Sequence, residues 1–119
     1  MKVIPAACSS FQQLEKLEVD SISAVLVAPI CSLLAATLSE LSFKFDLRME
    51  SFTETQEEAL QLLTSLRKLD FGDCPHLRSL PEGLRHLSSL EELAIFNCRL
   101  IRSMPEEGLP ASLKRAIMV

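Results

Sequence analysis

Asp70, Asp73, Cys74 and His76 place two carboxylates, a thiol and an imidazole within seven residues, which are the ligand types of a zinc or related metal site. The same cysteine and histidine are the types of a nucleophile and its base. Glu57-Glu58, Glu91-Glu92 and Glu106-Glu107 add three acidic pairs. Residue type alone decides nothing here. A dedicated zinc site needs four convergent ligands, and a catalytic cysteine needs a base that a third group orients. The question is therefore which elements hold these side chains, and in which direction.

Self-comparison supplies the elements. Leu66-x-x-Leu69-x-Phe71-x-x-Cys74-x-x-Leu77-x-x-Leu80-Pro81 recurs 24 residues later as Leu90-x-x-Leu93-x-Ile95-x-x-Cys98-x-x-Ile101-x-x-Met104-Pro105. Upstream the same spacing gives Leu14, Leu17, Val19, Ile22, Val25 and Ala28-Pro29, then Leu38, Leu41, Phe43, Asp46, Met49 and Phe52; downstream it gives Leu113, Ala116 and Met118. Units starting at 14, 38, 66, 90 and 113 cover nearly the whole chain. The longer second unit has a local cause: 51–65 reads as an amphipathic helix, with Thr53 and Gln56 as a capping box and Ala59, Leu62 and Leu63 on one face.

This is the leucine-rich pattern, a short strand followed by a turn and a variable return limb. It predicts an α/β fold: a single leucine-rich-repeat solenoid of about five repeats, with a parallel sheet on the concave side and helical or irregular convex segments. Side chains alternate along a strand, so Leu69 and Phe71 point inward while Lys68, Asp70 and Gly72 point outward. Leu77 and Leu80 return to the core, and Pro81 stops strand pairing because it lacks an N–H.

The repeat disperses the chemical candidates. Cys74 aligns with Cys98 and Ile22 at an inward turn position, whereas Asp70 belongs to a strand face. Each cysteine falls near the core without an orienting partner, and His86 sits on a return limb beside Leu87. The expectation is no metal, no cofactor and no enzymatic activity.

Composition narrows the rest. A chain of 119 residues, 48% of them hydrophobic, holds one domain. Twelve basic against 16 acidic residues give a net charge of −4, so no broad field draws it to nucleic acid. Cys8, Cys31, Cys74 and Cys98 form no CxxC pair, and reduced thiols in a cytoplasmic protein are the simplest reading. The apolar stretch 3–8 is interrupted by Pro5 and is too short for a secretory signal. Residues 21–39 carry no charge, but they hold four Ser, Thr37 and Pro29 and keep the repeat register, so no membrane span is expected.

The segment from Leu63-Thr-Ser-Leu-Arg-Lys-Leu-Asp-Phe-Gly-Asp-Cys-Pro-His-Leu-Arg-Ser-Leu-Pro-Glu-Gly to Leu84, together with Met104-Pro-Glu-Glu-Gly-Leu-Pro-Ala-Ser-Leu113, resembles the C-terminal repeats of plant nucleotide-binding leucine-rich-repeat (NB-ARC type) disease-resistance proteins. The cysteine followed by Leu-x-x-Leu-Pro carries the likeness, which runs over 63–113. The chain has no GxxxxGK[ST] phosphate loop and only three glycines, Gly72, Gly83 and Gly108, so nucleotide binding is not carried over. The resemblance implies cytoplasmic effector sensing in plant defence, as part of a larger receptor. The partner is then a pathogen effector, a guarded host protein or the receptor's own nucleotide-binding domain. The alternatives are a free-standing leucine-rich scaffold or adaptor, and a truncated gene product without an independent role. Val119 follows the last strand with no polar cap, which predicts an exposed, adhesive edge.

Aligned outward positions form columns. The first runs Lys16, Glu40, Lys68, Glu92, Arg115; neighbouring strands lie about 4.8 Å apart, so this alternation of sign should help each junction by roughly 0.2–1 kcal/mol. The second runs Glu18, Ser42, Asp70, Ala94, Ile117 and the third Asp20, Lys44, Gly72, Phe96, Val119. Both turn apolar towards the C-terminus, predicting that Ala94, Phe96, Ile117 and Val119 cluster on the solvent side, either as an interaction surface or as a patch that the continuation of a longer chain covers. Lys68, Asp70, Glu92, Ala94, Phe96, Arg115 and Ile117 are thus the candidate protein-binding residues, with Phe96 the leading contact.

Overall fold

Five segments alternate inward apolar with outward side chains, and each must bury one face. A computed structural model, which describes residues 14–102 and 109–119, folds them as β1 (Lys16–Val19), β2 (Glu40–Lys44), β3 (Lys68–Gly72), β4 (Glu92–Phe96) and β5 (Arg115–Met118). They form one sheet in the order β1-β2-β3-β4-β5, with every neighbouring pair parallel. The register is the one the repeat requires: Leu41 pairs with Leu69 and Leu69 with Leu93, while Phe43 pairs with Phe71 and Phe71 with Ile95. Expectations about 3–8, Cys8, the Met104-Pro105 turn and Glu106-Glu107 lie outside the described residues.

Parallel neighbours need a crossover connection, and short helical segments provide it from β1 to β4. Helix α1 (Ile22–Val25) starts at Ser21, whose hydroxyl accepts from the Ala24 N–H at 3.3 Å. Helix α2 (Ala28–Leu34) has Pro29 in its first turn, where the missing N–H is no loss. Helix α3 (Glu54–Gln61) carries the anticipated Thr53–Gln56 capping box, and a 3-10 helix (Glu82–His86) follows Pro81. Helix α2 packs on α3 and α3 on the 3-10 helix, in the same sequence as the strands they connect. No helix among the described residues is long and apolar enough to cross a membrane, and the uncharged stretch 21–39 is divided between α1 and α2.

Helix α3 differs from its prediction in length and in rotation. It is confined to Glu54–Gln61 and buries Ala59 and Leu60, with Leu63 just beyond, whereas Leu62 is 38% exposed. At its end Leu62 N–H donates to Ala59 O and Leu63 N–H to Leu60 O, both at 3.0 Å. This i→i−3 bonding tightens the last turn, carrying Leu63 inward and leaving Leu62 in solvent.

The core lies between the sheet and the return limbs. Phe71 stacks on Phe43 at 5.6 Å between ring centroids and takes the edge of Phe52 at 5.9 Å. Below the strand ends, Ile22, Asp46, Cys74 and Cys98 form an inward column in which all four side chains are buried. Two of its thiols bond backbone carbonyls: Cys74 Sγ donates to Gly72 O at 3.3 Å, and Cys98 Sγ donates to Phe96 O at 3.6 Å and Phe71 O at 3.7 Å. Asp46 instead accepts, from Ile22 N–H at 2.7 Å and from Arg48 and Met49 N–H at 3.1 Å each. One carboxylate therefore ties two successive turns together. Just before this column the chain enters the left-handed region at Phe45, Asp73 and Asn97, with φ of 65°, 51° and 56°.

Candidate functional site

The outward side of the sheet is a consequence of register. In the first column Lys16 reaches Glu40 at 3.6 Å, and Lys68 and Arg115 both reach Glu92, at 3.4 and 3.6 Å. The Glu40–Lys68 junction carries no ion pair among the described residues. Lys44 instead pairs diagonally with Glu18 at 3.4 Å, and its aliphatic stem runs over Gly72, where an added Cβ would meet Lys44 Cγ at 3.3 Å. Glycine here lets the lysine lie flat across the strand.

Asp70 sits at the centre of this face, half-buried between Ser42 and Ala94. Burial raises its carboxyl pKa above the usual carboxylate range. Lys44 and Lys68 pull it down, while Glu40 and Glu92 push it further up. Ser42 Oγ beside it is buried without a hydrogen-bond partner among the described residues. Together with Lys16, Glu40, Lys44 and Lys68 these two residues line a shallow groove of about 330 Å³.

The apolar end of the face is narrower than predicted. Phe96 is 37% exposed and Val119 lies open, but Ala94 is only 7% exposed and Ile117 is half-buried. Ala94 has the shortest side chain among its outward neighbours, with Asp70 and Ile117 beside it across the ladder and Glu92 and Phe96 two residues away along its strand. Ala94 therefore belongs to the floor of the face, while Lys68, Asp70, Glu92, Arg115, Ile117 and Phe96 are its exposed or half-buried members.

The metal-type cluster is not assembled. Asp70 lies on the outward face, Cys74 is buried in the turn column, Asp73 Oδ1 accepts from Asn97 Nδ2 at 2.7 Å, and His76 is solvent-exposed. Among the described residues no group of three His, Cys, Asp or Glu is placed to hold a metal ion. Burial pushes the Cys31 and Cys74 thiols up to about 11 and also raises Cys98, so these cysteines are poor nucleophiles at neutral pH.

Two prominent residues escaped the sequence reading. Phe45 and Leu47, in the turn after β2, are 60% and 62% exposed. They fall outside the strand columns, and only their misfit with Asp73 and Pro75 at the equivalent places of the next unit could have singled them out. No protein-family model, no curated protein and no solved structure matches this chain.

Proposed function

We propose that the chain is a leucine-rich-repeat module that binds protein through the outward side of its sheet, and that it serves as a sensing segment of a cytoplasmic plant nucleotide-binding leucine-rich-repeat resistance receptor. The reading rests on one observation above others: the strand register aligns Lys68, Asp70, Glu92, Arg115, Ile117 and Phe96 on a single side of three adjacent strands, β3 to β5. Aromatic residues and arginine, here Phe96 and Arg115, are enriched at protein interfaces, and the charged Lys68, Asp70 and Glu92 suit a polar rim. The buried, protonated thiols accord with a protein that keeps its cysteines reduced. The role proposed for this face is recognition.

The test is affinity capture from plant extract with the wild type, Phe96→Ala and Leu62→Ala. Recovery of the partner should fall at least roughly tenfold for Phe96→Ala and stay unchanged for Leu62→Ala on the helical side. Equal recovery with all three would refute the assignment. An upstream phosphate-loop domain in the same reading frame separates the receptor from a free-standing adaptor.

A further inference from the structure

Phe45 departs from its own repeat. Asp73 and Asn97 hold the equivalent left-handed positions, and short polar side chains tolerate that region. Phenylalanine does not tolerate it well: a bulky side chain at φ 65° is strained, and this ring is also 60% exposed. The turn belongs to the fold, since Phe45 N–H donates to Gly72 O at 3.0 Å as Asp73 N–H does to Phe96 O at 2.8 Å, but the ring adds nothing to it, being absent from the core cluster. A bulky, exposed ring kept where the other turns carry short polar side chains points to a use outside folding.

Its surroundings specify that use. Phe45 lines a groove of about 340 Å³ with Glu18, Val19, Asp20 and Lys44. Lys44 and Glu18 neutralise each other at 3.4 Å. Asp20 is exposed and makes no ion pair among the described residues, so the groove offers one uncommitted carboxylate beside one open aromatic ring. A guanidinium satisfies both, by forking onto the carboxylate and stacking on the ring. We propose that Phe45 and Asp20 form an arginine-accepting subsite for a partner protein, lying at the strand ends beside the sheet face. This deepens the protein-binding reading and rests on it.

The experiment titrates the full chain with the capped tripeptide acetyl-Gly-Arg-Gly-amide, and separately with its citrulline counterpart, following amide signals by heteronuclear NMR. Saturable shifts are expected at Asp20 and Phe45. Binding should weaken roughly tenfold for the citrulline peptide and for Phe45→Asn and Asp20→Asn. Phe45→Asn places here the residue that Asn97 supplies at the same left-handed position of the fourth unit, so its Tm should rise by roughly 3–6 °C. That variant therefore tests binding in a folded chain. Absence of saturable shifts at the two residues, equal binding of citrulline, equal binding by both variants, or a lower Tm for Phe45→Asn would each overturn the proposal. If partner capture still depends on Phe96 in that event, the sheet-face reading stands and only the arginine subsite falls.

Discussion

A single column of side chains shows how one position can do different work in successive units. Ile22 fills space, Asp46 accepts three backbone N–H bonds, and Cys74 and Cys98 donate weakly to carbonyls. The alignment placed Ile22, Cys74 and Cys98 inward and put Asp46 in the same register, where it too is buried, because an inward position is a matter of register. It could not tell that Asp46 would be held as a buried acceptor, since that depends on which orphan N–H groups the turn presents. Nor did it foresee the burial of Ala94, a short side chain among longer outward neighbours. The cysteines carry a testable pH dependence. Cys31 and Cys74 are raised from 9.0 to about 11, so the folded state holds their protons more tightly than the unfolded chain. Their contribution is fully present below pH 9.0 and is lost as pH rises towards about 11, by roughly 2 kcal/mol per thiol. Thermal melts followed by circular dichroism from pH 8 to 11 should show this fall, and the Cys31→Ala/Cys74→Ala variant should show a shallower one. Equal slopes would remove the thiols from the account.

At the scale of elements, the strands were legible and the connections were less so. Period-two alternation inside a 24-residue repeat locates β3 at Lys68–Gly72, because misregistering it by one residue would turn Leu69 and Phe71 into solvent. Helix α3 was visible from its capping box, yet its end was not, because Ala59, Leu62 and Leu63 share a face only if ideal α geometry continues. The strand junctions make a sharper prediction. Glu92 is bracketed by Lys68 and Arg115 at 3.4 and 3.6 Å, so Glu92→Lys sets three cations in a row. These groups are partly solvated, which limits the loss to roughly 1 kcal/mol in urea unfolding, and about 0.5 M salt should recover much of it. A loss that salt leaves unchanged would mean that Glu92 matters through packing instead.

On the scale of the molecule, five parallel strands in sequential order turn a linear repeat into a two-dimensional array of side chains. The proposed recognition surface is that array. It also explains why the candidate site was largely readable in advance: Lys68, Glu92 and Arg115 share a column by arithmetic, whereas Phe45 lies in a turn whose backbone conformation no spacing rule reveals. The claim that the sheet side is the recognition surface is tested most directly by site-specific photo-crosslinking in plant cells, with benzoylphenylalanine placed at Phe96, at Ile117 and, on the helical side, at Leu62. The account predicts the same crosslinked protein from Phe96 and Ile117 and none from Leu62; crosslinks from Leu62 alone, or equally from all three positions, would contradict it.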